Sequence, residues 1–125
     1  MENLAYGAKI AIIRVLTDIL KADGIVHEKE VEYLDSVARV LALGDGFLVD
    51  VDNLVTLQAL ATIRELPVEI KEEVAVLMGK MIITDRDINY NEVKLYNTFC
   101  ESCDIAATFN ISDYPEYTLS GEFCI

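Results

Sequence analysis

Asp23 and Glu30 stand seven residues apart in "KADGIVHEKEVEYL", residues 21–34, and Asp85 and Glu92 repeat that spacing in "ITDRDINYNEVKLY", residues 83–96. Carboxylate oxygens are the natural ligands of hard divalent cations, which take six or more oxygens from side chains, backbone carbonyls and water. The second stretch offers Asp85, Asp87, Asn89, Asn91 and Glu92, and the first offers Asp23, Glu28 and Glu30. The candidate metal ligands are therefore Asp23, Glu30, Asp85, Asp87 and Glu92, with Ca²⁺ or Mg²⁺ as the expected ion. Neither stretch is an EF-hand. In the first, Asp23-Gly24-x-Val26 and Glu30 match the end of a calcium loop, but its opening ligand positions hold Ile19 and Lys21. In the second, Asp85, Asp87 and Asn89 match the opening ligands, and the closing position holds Tyr96.

A purely structural role explains the same spacing. With His27 and Asn89 as helix N-caps, Glu30 and Glu92 fall at the third helical position. There a Glu side chain reaches back to the N-cap N–H, and its charge favours the positive end of the helix dipole. Asp23 and Asp85 then act as turn-formers that accept hydrogen bonds from nearby amides. Both readings stand open on the sequence.

Other chemistries find less support. Cys100-x-x-Cys103 has the spacing of a redox pair or half a zinc site, but only Cys124 and His27 remain to complete four ligands. Core packing is the expectation for Cys100 and Cys103. One histidine excludes any site that needs two, and a Ser-His-Asp triad would have to draw on His27 in a loop. Asp35-Ser36-Val37 lies mid-helix, the wrong context for a phosphopantetheine attachment site. No catalytic residue is expected, and the protein reads as a non-enzyme.

The elements that carry these residues are helical. Of the 125 residues 53% are hydrophobic, ample for the core of one domain, and the scarcity of Gly (6) and Pro (2) argues against an all-β fold. Apolar spacing predicts a buried helix over 4–22 and an amphipathic helix over 27–43 with Val31, Leu34, Val37, Ala38 and Leu41 inward. Gly44 is the expected C-terminal glycine. A loop at 45–50 should lead to a short helix over 53–64 capped by Asp52, then a helix opened by Pro67 that runs to Ile83. A last helix spans 90–103. The tail, 104–125, loses periodicity and reads as irregular, strapped over the core by Phe109, Tyr114, Tyr117 and Phe123.

Displacing the sequence by 62 residues lays 5–41 on 67–103 without a gap, pairing Asp23 with Asp85, Val26 with Ile88, Glu30 with Glu92 and Val31 with Val93. The expected architecture is one all-α domain built from a duplicated helix-loop-helix, with two apolar helices central and related by a pseudo-two-fold. The loops "ADGIVHEKEVEYL" and "TDRDINYNEVKLY" resemble the paired A-D-G-x-[IV]-x-x-x-E signatures of the TerB-like (tellurite-resistance) domain family, over about residues 5–105. The first copy matches at Ala22, Asp23, Gly24, Val26 and Glu30. The second keeps Asp85, Ile88 and Glu92, with Thr84 and Arg86 replacing Ala and Gly. That resemblance implies an all-helical cytoplasmic domain linked to stress or tellurite resistance, with metal binding through the loop acids.

The net charge of -12, from 22 acidic and 10 basic residues, argues against nucleic-acid binding, which relies on Lys and Arg at phosphates. Charged residues interrupt the first apolar run, and Glu2 stands where a signal peptide would carry positive charge, so neither membrane nor export is expected. Two function classes result: a cation-binding stress-associated domain, and an acidic interaction module for a protein partner or a second copy, in which the acids only cap helices.

Overall fold

A computed structural model describes residues 3–121 and shows six α-helices in a mostly helical domain. They are α1 (Tyr6–Leu20), α2 (Glu28–Val40), α3 (Phe47–Asn53), α4 (Thr56–Arg64), α5 (Val68–Ile83) and α6 (Tyr90–Ser102). Two three-residue strands, β1 (Asp87–Asn89) and β2 (Thr118–Ser120), pair in parallel, and a 3-10 turn covers Ile111–Asp113. None of the described helices is long and apolar enough to cross a membrane.

The all-α expectation holds, and α1 explains why. Ala11, Ile12, Ile13, Val15, Leu16 and Ile19 are fully inaccessible, so apolar side chains leave α1 on nearly every side and need partners all round. Helices α2, α3, α4, α5 and α6 each pack against it. Helix α5 is less central than its apolar content suggests, because Val68 and Val76 on its outer face are exposed.

Several local features depart from the sequence reading. The 45–50 segment is largely helical: Gly46, at φ 87, turns the chain into α3, and Asp52 lies within α3 instead of capping α4. Val51 drives this by burying itself in the core. Helix α4 starts after Val55, with no side-chain cap, and the Thr56 hydroxyl donates to Asp18 instead. Pro67 is the N-cap of α5, one position earlier than expected. Gly44 does not terminate α2. Ala42, at φ 57, takes the left-handed position, with Leu43 N–H donating to Ala38 C=O and Ala42 N–H to Arg39 C=O. Helix α6 ends alike, with Asp104 at φ 58 and Ile105 N–H donating to Cys100 C=O. Val31 is exposed, where an inward position was expected.

The tail is ordered by aromatic contacts and by the second loop. Tyr96, Phe109, Tyr114 and Tyr117 follow one another at ring-centroid separations of 5.9, 5.4 and 5.2 Å, and the Arg86 guanidinium lies 4.9 Å from the Tyr117 ring. Strand β2 then adds to β1 in place of the irregular strap expected. Phe123 and Cys124 lie outside the described residues. Cys100 and Cys103 are buried free thiols in the core. Beside them the buried Lys71 is satisfied by backbone carbonyls, its Nζ donating to Cys103 at 3.2 Å and Arg64 at 3.4 Å.

Candidate functional site

Two helix-loop-helix units, α1-loop-α2 and α5-loop-α6, bring their loops together at one end of the domain. Some backbone features recur at the 62-residue offset, although β1 in the second loop has no counterpart in the first. Gly24 and Arg86, at φ 78 and 63, occupy the same left-handed turn, and Ala42 and Asp104 share the helix-ending conformation. Within each loop the Asp closes the turn: Asp23 Oδ1 accepts from Ile25 N–H at 3.0 Å, and Asp85 Oδ1 accepts from Asp87 N–H at 3.1 Å. The turn-forming role expected of both aspartates is therefore realised.

The glutamates do something else. His27 is the N-cap residue of α2, which puts Glu30 at the third helical position, but His27 makes no side-chain cap bond. Both carboxylate oxygens of Glu30 are buried and take no backbone N–H, so the reciprocal capping box does not form at the first loop. At the second loop Asn89 does cap α6, accepting from Asn91 N–H at 2.8 Å, yet Glu92 Oε2 is likewise buried and unpartnered. Both side chains turn inward, and their carboxyl groups come within hydrogen-bonding reach of each other. Glu30 and Glu92 are 0% and 2% exposed, among the most deeply buried side chains of the protein.

Burial raises the pKa of both glutamates well above the ordinary carboxylate range, and the nearby charges of Asp23 and Asp85 push in the same direction. Two adjacent carboxylates cannot both ionise in such a place without a compensating cation.

Three ligand-type groups meet at this point. The ligand atoms of His27, Glu30 and Asp85 all lie within 4.8 Å of one another. Each is oriented by a neighbour. Asp23 Oδ2 sits 3.1 Å from His27 Nε2, and because a carboxylate only accepts, Nε2 carries the proton. The other ring nitrogen, Nδ1, faces Asp85 Oδ2 at 3.7 Å. Hydrogen bonding to Asp23 also raises the pKa of His27. Asp85 is held through Oδ1 by Asp87 N–H, which leaves Oδ2 for the cluster. Glu30 is backed by Glu92.

Of the five candidate ligands, then, Glu30 and Asp85 lie at the centre and Glu92 lies behind Glu30. Asp23 stands one shell out, both its oxygens engaged by Ile25 N–H and His27. Asp87 is turned to the tail, where Oδ2 accepts from the Ser120 hydroxyl, itself within 3.1 Å of Asn89 Nδ2. The residue that sequence reasoning missed is His27. Its position four residues after Asp23, a spacing that lets an imidazole fold back on a carboxylate, was the available signal.

No protein-family model matches the chain, and no curated protein matches it. Among solved structures it is similar to a protein of unknown function from Porphyromonas gingivalis W83, with TM-score 0.72 and 24% identity over 84% of this chain and 83% of the other. That likeness bears on the fold alone.

Proposed function

We propose that this domain is a non-enzymatic divalent-cation-binding module, with Glu30 and Asp85 as carboxylate ligands, Glu92 in reserve behind Glu30, and His27 beside them. The observation that carries the reading is the Glu30 carboxyl group, fully inaccessible and with no backbone, hydroxyl or cationic donor on either oxygen, only the neighbouring Glu92 carboxyl group. Burying ionised carboxylates costs several kcal/mol; a proton held by the Glu30–Glu92 pair offsets part of that cost, and a cation held between Glu30 and Asp85 would take its place. The helix N-termini add favourable dipoles to a site rich in anions. The TerB-like signature that includes Asp23, Glu30, Asp85 and Glu92 agrees with a stress-associated cytoplasmic role.

The test is the melting temperature of chelator-treated protein as divalent cations are added. A ligand at a hundred times its Kd stabilises by about 2.7 kcal/mol. A clear rise is expected for the wild type and its loss in Glu30→Gln. A second reading, an acidic interaction module, draws on the exposed apolar side chains Leu48, Val49, Val55 and Leu57 on and beside α3 and α4. It is favoured if no cation moves the melting temperature.

A further inference from the structure

We infer that the site selects a first-row transition ion of the Mn²⁺, Fe²⁺, Co²⁺ or Zn²⁺ class over Ca²⁺ and Mg²⁺, with His27 Nδ1 as the selecting ligand and Asp23 as the residue that positions it. This rests on the cation-binding reading above and names the class of ion.

Three features of the geometry lead there. The first is the oxygen supply. Ca²⁺ takes six to eight oxygen ligands. Asp23 has both oxygens occupied elsewhere and Asp87 is drawn away to Ser120, so two of the five loop acids are withdrawn from the centre. What remains inside 4.8 Å is two carboxylates and an imidazole. Carboxylate-only surroundings suit Mg²⁺ and Ca²⁺, whereas an imidazole adds little for them and much for Zn²⁺, Fe²⁺ and their neighbours.

The second is the tautomer. The Asp23 carboxylate fixes the proton on Nε2, and in the neutral ring this leaves the Nδ1 lone pair on the side of Asp85. A metal-bound histidine ordinarily presents this arrangement, one nitrogen on the ion and the other donating to a carboxylate that sets its orientation and basicity. The Asp23 side chain is only 8% exposed, so the pairing is built into the fold and is not a chance surface contact.

The third is the buried Glu30. Its two oxygens are buried without a backbone or hydroxyl donor, and one of them lies within 4.8 Å of a His27 ring nitrogen and an Asp85 carboxylate oxygen. Three protein ligands on one side of an ion leave its remaining positions open to water. That pattern is common for borderline ions and too sparse for a calcium cage.

The chain has a single histidine, which gives a direct readout. Tag-free protein is stripped with chelator and titrated calorimetrically with MnCl₂, CoCl₂, ZnCl₂, CaCl₂ and MgCl₂. The imidazole nitrogen resonances are followed by NMR during the Zn²⁺ titration. The expected result is that the transition ions bind at least about tenfold tighter than Ca²⁺ or Mg²⁺, and that the Nδ1 resonance moves on Zn²⁺ binding while the Nε2 proton is retained. His27→Gln should erase the preference, and Asp23→Asn should weaken transition-ion binding by about 10–100-fold, the usual effect of losing an orienting carboxylate. Circular dichroism of both variants confirms that they fold. Equal or tighter binding of Ca²⁺ or Mg²⁺, or Zn²⁺ binding that leaves the imidazole resonances in place, overturns the inference and leaves a cation site standing. Failure of every ion to bind overturns both.

Discussion

Glu30 and Glu92, one from the first turn of α2 and one from the first turn of α6, bury their carboxyl groups against each other, with no donor from outside the pair on three of their four oxygens. This pairing is the least expected feature of a domain otherwise held together by aliphatic packing. It sets how the protein should respond to pH, to cations and to substitution.

The pH response follows from sign. Both glutamates have folded pKa values raised above the ordinary 4.5, so between pH 4.5 and neutrality the native state binds more protons than the unfolded chain. Stability is fully present below 4.5 and falls as pH rises through the folded values. His27, raised above 6.5 by its Asp23 partner, contributes in the same direction. Urea denaturation in chelator should therefore give a lower midpoint at pH 8 than at pH 5.5. Equal midpoints would contradict the buried pair.

Glu92→Gln replaces one member of that pair with a neutral amide of the same shape. In chelator at pH 8 it should leave stability unchanged to within about 1 kcal/mol, because Glu92, raised to about 10, is the neutral member of the pair there and the Gln amide N–H replaces its O–H as donor to Glu30. Denaturant midpoints check this, and a clearly larger loss would contradict the pairing.

Gly24 adopts φ 78, and a Cβ built there meets nothing within 4 Å. Gly24→Ala should cost about 1–2 kcal/mol through backbone conformation alone, with an unchanged denaturant slope. No loss would mean that the first loop relaxes into another turn.

Cys100 and Cys103 are buried, and burial pushes the Cys100 thiol up to about 11. Reaction with a thiol reagent at pH 8 should be slow at both in native protein and fast after unfolding, as followed by mass spectrometry. Rapid native labelling of either would place them at the surface.

What the sequence made legible was periodicity. The helices of both units, their approximate limits and the burial of Cys100 and Cys103 follow from apolar spacing that only packing can satisfy. The capping box failed because it is a local rule, and Glu30 answers to a residue 62 positions away. Nothing near Glu30 in the chain signals that its carboxyl group will lie against that of Glu92. The tail was missed for a related reason. Strand β2 is only Thr118–Ser120, with no alternation to detect, and it exists because the exposed edge at Asp87–Asn89 accepts it. Ile88 is fully buried because β1 packs against α5 and α6, while Val26, at the matching position in the first loop, is 60% exposed.

The central claim is a cation held by His27, Glu30 and Asp85, and anomalous diffraction from crystals grown with Mn²⁺ tests it most directly. One anomalous peak is predicted roughly 2.0–2.3 Å from His27 Nδ1 and from a carboxylate oxygen of both Glu30 and Asp85, the bond lengths usual for such ligands. Density at full occupancy elsewhere, or none beside Glu30, would contradict the account.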